Sequence, residues 1–276
     1  MTNIIDTRTI PATLPAYREA GFRDVLRSEW TKARTVPSTL WTLVATAVLG
    51  IGVGALIAAL SAHHFAKLSA TNQALWDPTS ISDSGFALAQ LAIGILGVML
   101  ITSEYSTRAI ATSLAAVPRR GRFLAAKAVV VAAMVLIAGE VMAFAAFFIG
   151  QAMISGHAPT ASLGGPNVLR AVIGGGLYLA LIGLLGLALG TILRHAAGAI
   201  AVMVALLFVL PGVAAALPAS IQHTVQEYWP TQAGPQVANV VRTAHTLSAW
   251  AGFGLMCAFV GILSLVAFFV LNRRDA

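Results

Sequence analysis

Six stretches of this chain, residues 38–60, 85–103, 123–149, 171–193, 197–217 and 248–271, are apolar and nearly empty of charge. An α-helix rises 1.5 Å per residue, so about 20 apolar residues cross the ~30 Å hydrocarbon core of a bilayer. Within lipid the chain must satisfy its own backbone N–H and C=O groups, which leaves only helices and closed barrels. The apolar runs are continuous, not alternating, so barrel patterning is absent and helices are expected. Composition points the same way. Charged residues are 10% of the chain and mean hydropathy is +0.84, whereas a soluble domain carries roughly 25% charged residues. The expected fold is an all-α membrane protein with a six-helix domain over 38–271. Residues 1–37 and 272–276 are read as cytoplasmic tails, the first containing an interfacial helix.

The charges that remain say how the chain is threaded. Arg8, Arg18, Arg23, Arg27, Lys32 and Arg34 precede the first span; Arg108, Arg119, Arg120, Arg122 and Lys127 lie between or beside spans two and three. Arg194 separates spans four and five, and Arg273 and Arg274 follow span six, while the other side receives Lys67, Arg170 and Arg242. Short loops rich in Lys and Arg stay cytoplasmic, so six spans put every basic cluster and both termini in the cytoplasm, in a multi-pass cell-membrane protein. The net charge of +7 thus reports topology and does not imply nucleic acid. The first residues lack the basic-then-apolar order of a cleavable signal, and the single Cys257, within an apolar run, reads as a small core residue.

Residues 17–34 have a pattern of their own. Phe22, Val25, Leu26, Trp30 and Ala33 recur at helical spacing while Arg18, Arg23, Arg27 and Lys32 occupy other faces. That is an amphipathic helix suited to the membrane interface, or an ordinary helix packed on a partner. Between spans two and three, Ile110, Leu114 and Val117 fall at i, i+4 and i+7, so residues 105–117 can form one short helix before Pro118. Held transversely between two spans, such a helix is either a lever that takes a push from a cytoplasmic partner or only a positive-inside anchor. Residues 218–246 mix apolar pieces with Pro218, Pro230 and Pro235. They are too broken to span, and short re-entrant or interfacial outer helices fit them.

Candidate chemistry is sparse. A P-loop needs Gly-Lys-Ser/Thr, and none of the three lysines, Lys32, Lys67 and Lys127, follows a glycine, so ATP hydrolysis by this chain is not expected. The six histidines (His63, His64, His157, His195, His223, His245) are scattered over several loops and include no i,i+4 pair of histidines, so no metal site is expected; nor is there a Gly-x-Ser-x-Gly nucleophile turn. Glu140 is an acid well inside span three, where a charge costs roughly 2.5–3.5 kcal/mol at the bilayer centre. It either lines a path or carries protons, or it locks helix packing through a hydrogen bond or its protonated form. Glycines at 50, 52 and 54, at 174–176, and at 186 and 190 allow close helix approach, within one subunit or across a dimer seam.

The segments "SEWTKARTVPSTLWTLVATAVLG", "ITSEYSTRAIATSLAAVPRRGRFLAAKAVV" and "YWPTQAG" resemble, in that order, the membrane subunit of ABC-2 type transporters, the separate-permease exporters common in Gram-positive bacteria. The likeness covers almost the whole chain, and its bias to Arg, Ala, Gly and Val looks actinobacterial. The resemblance implies an exporter half: a permease pairing with a second permease copy, with two separate ABC ATPase subunits docking from the cytoplasm and holding ATP and Mg, so that this chain binds no cofactor. It also implies that the docking parts are residues 17–34 (Phe22, Leu26, Trp30, Lys32, Arg34) and 104–122 (Glu104, Tyr105, Arg108, Ile110, Leu114, Arg119, Arg120, Arg122). Glu104 is expected to cap its helix or pair locally with Arg108, and residues 218–246 to form re-entrant helices near the exit. The competing classes are an ion-coupled secondary transporter, for which Glu140 is the available proton carrier, and a membrane sensory or assembly protein that transports nothing.

Overall fold

The structure is a computed structural model and describes residues 21–107, 109–110 and 120–273. Twelve helices are used below, and no strand occurs among the described residues. Helix α1 (Phe22–Thr35) is followed by α2 (Pro37–His64), the short α3 (Ala70–Ala74) and α4 (Pro78–Ser82), then α5 (Phe86–Ser106) and α6 (Arg120–Ile154). After them come α7 (Val168–Leu193), α8 (Ala196–Val204), α9 (Leu210–Ala214), α10 (Ala219–Tyr228), α11 (Pro230–Ala233) and α12 (Ala249–Arg273). Six segments are long and apolar enough to cross a membrane: Pro37–Lys67, Pro78–Ser106, Arg120–Ile154, Val168–Leu193, Ala196–Ala214 and Ala249–Arg273.

Each expected window lies almost wholly within one of these segments. The helices generally run further because an α-helix does not stop where its side chains become polar. The stretch between the expected spans one and two is itself partly helical. Asp77 accepts hydrogen bonds from the backbone N–H groups of Thr79 and Ser80 at 3.0 and 3.1 Å, and Pro78 occupies the first turn, so this cap starts a helix inside the presumed loop. Gln151, expected at the start of the next loop, is instead a buried residue of α6. Its Nε2 donates to the Pro78 carbonyl and to Ser82 Oγ, both at 3.0 Å, and its Oε1 accepts from Ala161 N at 2.7 Å.

Helix α7 is the axis of the bundle. Of its apolar window 78% is buried, against 22% for the first and last spans and 17% for the fifth. Glycine makes this possible: a Cβ on Gly97 of α5 would collide with the Gly183 carbonyl of α7, and one on Gly186 with the Gly94 carbonyl. The two backbones therefore touch, as small residues permit between helices in lipid. Gly190 packs on Ile101 and Val98 in the same way, and Gly50 and Gly54 pack on α6 and the α4 turn. These glycines serve packing within the chain; Gly52 faces open space.

Span five is interrupted. The chain widens into a π-turn over Ala205–Val209, in which the Leu210 N–H bonds to the Ala205 carbonyl five residues back, and Pro211 has no N–H to offer Leu206 in the same way. The Leu206 carbonyl accepts instead from Trp229 Nε1 at 3.0 Å and Thr231 Oγ1 at 2.9 Å. That bond draws α10 and α11 back onto the span. On the far side, Arg170 donates to the Val237 and Asn239 carbonyls, both at 2.8 Å, and closes the 3₁₀ turn Gly234–Ala238 against α7.

The backbone contact of α5 with α7 is expected to tolerate no side chain. Gly97→Val should destabilise the purified protein by about 1–3 kcal/mol, the usual cost of overpacking. Gly52→Val carries the same helix-propensity change without the clash and should melt near the wild type. Equal melting temperatures for the two variants would contradict this packing.

Candidate functional site

Where α1 meets the ends of α5 and α6, four charged side chains converge. Glu29 and Lys32 come from α1, Glu104 from the last turn of α5, and Lys127 from the third turn of α6. Lys127 Nζ lies 2.5 Å from Glu29 Oε2 and 2.8 Å from Glu104 Oε1. Lys32 Nζ lies 2.7 Å from Glu29 Oε1 and 3.5 Å from Glu104 Oε1. Glu29, Glu104 and Lys127 are buried, at 4, 9 and 5% exposure. The Phe123 ring lies 5.2 Å from the Lys127 ammonium and 5.8 Å from that of Lys32, a cation–π arrangement under both.

Sequence explains how each arrives. Val25, Glu29 and Ala33 fall at i, i+4 and i+8 and form the buried face of α1, which lies against α6. Of the apolar residues expected on the interfacial helix, Val25 and Ala33 lie on this buried face, Leu26 is half-buried, and Phe22 and Trp30 are exposed. Arg34 is exposed as well. The centre of the docked face is thus an acid, because Lys127 is buried in α6 and Glu29 is the α1 residue that pairs with it, alongside Glu104 from α5. Lys127 also donates to the Leu100 carbonyl at 3.4 Å. Burial alone would lower the pKa of Lys32, but its hydrogen bonds to and charge attraction from Glu29 and Glu104 outweigh this and hold it above the ordinary lysine value. Its stabilising contribution is therefore complete at physiological pH and lost only as pH rises through that raised value.

The remaining coupling candidates divide. Glu104 faces Lys32 and Lys127, far from it in sequence, and its Oε2 has no hydrogen-bond partner among the described residues. Tyr105 is half-buried with the Arg194 guanidinium 5.4 Å from its ring. Ile110 is buried at 3% exposure. Arg120 Nη1 donates to the Leu271 carbonyl at 3.0 Å, joining α6 to the last span, and Arg122 is half-buried. Arg108, Leu114 and Arg119 lie outside the described residues, as does any local Glu104–Arg108 pair. Glu140 is remote from this group; its carboxyl lies over Gly176 of α7, and its Oε2 has no hydrogen-bond partner among the described residues. Glu29 and Lys127 were not singled out in sequence. The available signal was Lys127 itself, a lone cation inside an otherwise apolar span that demands a counter-charge. Histidines far apart in sequence also meet: the rings of His63 and His157 are 4.2 Å apart and those of His223 and His245 stack at 3.9 Å. No group of three or more metal-ligating side chains occurs among the described residues.

A family model described as "ABC-2 family transporter protein" matches residues 25–225, which include all four charges and five of the six spans. The chain belongs to the ABC-2 transporter family. No curated protein sequence matches it. It is therefore a membrane permease, a transport component of a generally non-catalytic kind, and membership implies association with an ABC ATPase. In this ABC-2 permease the group sets two acids against two bases, of which Glu29, Glu104 and Lys127 are buried and Lys32 reaches solvent. Removing one member of a buried pair costs about 3–5 kcal/mol because its partner is left uncompensated. Lys127→Met is accordingly expected to destabilise the purified permease by that amount, and Glu29→Gln added to it to recover part of the loss. Lys32, with its side chain 43% exposed, should cost under about 1 kcal/mol on removal, like other solvent-screened pairs. Melting curves of the three variants in a neutral detergent check this, and equal losses for Lys127→Met and Lys32→Met would refute it.

Proposed function

We propose that this permease is the membrane half of an ATP-driven exporter, and that α1 together with the α5–α6 turn receives the stroke of a separate ATPase. The observation that carries the reading is the four-charge group. It ties α1 to both ends of the turn, Glu104 before it and Lys127 after it, through bonds of 2.5–3.5 Å. A force applied to α1 or to the turn therefore reaches two spans at once. The outward face of α1 presents Arg23, Arg27 and Arg34 to a partner or to lipid headgroups, which suits a helix lying in the interface. On this reading α1 and both termini are cytoplasmic, and ATP and Mg belong to the partner. Two permease copies then form the path, with α10 and α11 as re-entrant helices near the exit. The bonds from Trp229 and Thr231 to the Leu206 carbonyl support the re-entrant assignment.

The group also decides where the reading is best tested. Glu104 is too deeply engaged for its loss to report on docking alone. Arg27 is exposed, and Arg108 lies in the turn. Arg27→Glu combined with Arg108→Ala should leave permease abundance near normal and lower co-purification of the ATPase at least tenfold. That follows if one desolvated charge pair, worth about 2–5 kcal/mol, crosses the interface. Full co-purification and full permease-stimulated ATP hydrolysis at matched membrane levels would leave α1 and the turn as a mere anchor.

Threading is tested separately. In a Cys257→Ser background, Thr160→Cys should react with a membrane-impermeant maleimide in intact cells, and Thr107→Cys only after permeabilisation. Both positions are exposed, at opposite ends of the bundle. The reverse pattern would invert the assignment of faces.

A further inference from the structure

At the end of the bundle opposite α1, a second acid is buried without a task in the fold. Asp83 opens the 3₁₀ turn between α4 and α5 and is 8% exposed. Neither of its carboxylate oxygens has a hydrogen-bond partner among the described residues. The neighbouring Asp77 is occupied: its Oδ1 caps α4, and its Oδ2 accepts from Ser80 Oγ at 2.8 Å and Val241 N at 3.4 Å. The turn itself is held firmly, because Gly54 and Gly150 bring α2 and α6 onto Ser82, and Gly85 rests on the Gly50 carbonyl. Asp83 is thus fixed in place by neighbours that make no use of its charge.

Asp83 is one of the residues that line a cavity of about 250 Å³, with Ser80, Gln90, Tyr178, Gln232 and Asn239 among the others. Those groups are neutral oxygen and nitrogen bearers. Tyr178 Oη donates to Gln90 Oε1 at 2.7 Å, and Asn239 Nδ2 donates to Gln236 Oε1 at 3.0 Å. The basic residues of this end are engaged elsewhere or distant: Arg170 on the Val237 and Asn239 carbonyls, Arg242 on the Thr246 carbonyl, and no ion pair among the described residues reaches Asp83. An ionised carboxylate in such a place requires a counter-charge. Divalent ions gather several charged oxygens, whereas this cavity offers a single carboxylate among neutral amides and hydroxyls. A single positive charge matches it.

We propose that Asp83 is the counter-ion of a monovalent-cation site at the end of the permease opposite α1, taking an alkali-metal ion or the ammonium group of a small amine. Asp83 supplies the charge, and the Gln90, Gln232 and Asn239 amides with the Tyr178 and Ser80 hydroxyls supply the polar wall. The site stands apart from ATPase coupling and can be tested on the permease alone.

The experiment is thermal unfolding of the full-length permease in a neutral detergent at constant pH and ionic strength. The bulky cation N-methylglucamine is the reference, and sodium, potassium, methylammonium and n-butylammonium replace it in separate titrations. Binding to the folded state alone at about 100 times Kd should raise the melting temperature by roughly 5 °C or more, saturably. Asp83→Asn should abolish the rise while melting in N-methylglucamine at or above the wild type, which shows that the variant folds. Glu227→Gln, an acid on α10 outside the cavity, should keep the rise. A response to sodium or potassium alone identifies an inorganic ion, and one to the alkylammonium ions alone identifies an amine; either supports the proposal. A flat wild-type response, or a rise that survives in Asp83→Asn, overturns it and makes Asp83 a protonated packing residue.

Discussion

The buried ammonium of Lys127 is the constraint around which one end of this permease is organised. A charge taken out of water costs several kcal/mol unless a well-placed partner restores the lost solvation. Lys127 has two acids at 2.5 and 2.8 Å, and neither comes from its own helix. Glu104 can reach it only if the last turn of α5 lies beside α6. Glu29 can reach it only if α1 folds back across both. A single cation therefore fixes the position of three elements. The geometry does not follow from apolar packing, because Phe22 and Trp30, the large apolar residues of α1, point away from the docked face.

How much of this could be read from the sequence depends on the kind of signal. The spans were legible because lipid imposes a length and an absence of charge, and both are visible in one dimension. Pro211 and its π-turn, by contrast, sit inside an unbroken apolar run, where the break is absorbed by a bond from Trp229 and not by polar residues. The amphipathic stretch before span one was legible as a helix, yet the acid at the centre of its buried face was not. Helical periodicity sorts residues by polarity, and Glu29 would be sorted outward on that ground. Its inward position follows from Lys127, 98 residues later, a tertiary relation that no local window contains. Glu104 illustrates the same limit. Its partners Lys32 and Lys127 are 72 and 23 residues away, while Arg108, the partner that local spacing suggested, lies outside the described residues.

Burial is also distributed unevenly among the spans. Helix α7 is wrapped on most sides, whereas spans one, five and six leave much of their surface open. Leu40, Trp41, Val44 and Val48 on α2, and Ile262, Leu265 and Phe269 on α12, are exposed. Such apolar faces are at ease in lipid and would require cover in water. The glycines are concentrated where the faces are closed. Gly97, Gly186 and Gly190 face the seam between α5 and α7, while Gly183 faces Val135 of α6 and Gly94 faces Met203 of α8, so α5 and α7 are locked together backbone to backbone.

That lock bears on how the two ends of the molecule communicate. Helix α5 carries Glu104 in its last turn, and the Asp83–Gly85 turn leads directly into its first. At 1.5 Å per residue its 21 residues span about 30 Å. Backbone-to-backbone contact with α7 leaves it little room to bend, because a sliding motion would drive Gly97 into the Gly183 carbonyl or Gly186 into the Gly94 carbonyl. Packed helices with this kind of contact move as rigid bodies and do not deform continuously. A displacement imposed on Glu104 is therefore delivered to the Asp83 end with α7 in tow. Tyr178 of α7 bonds Gln90 of α5, and Arg170 of α7 bonds the Val237 and Asn239 carbonyls, so the polar wall of the cavity is fastened to the same pair of helices that carries Glu104.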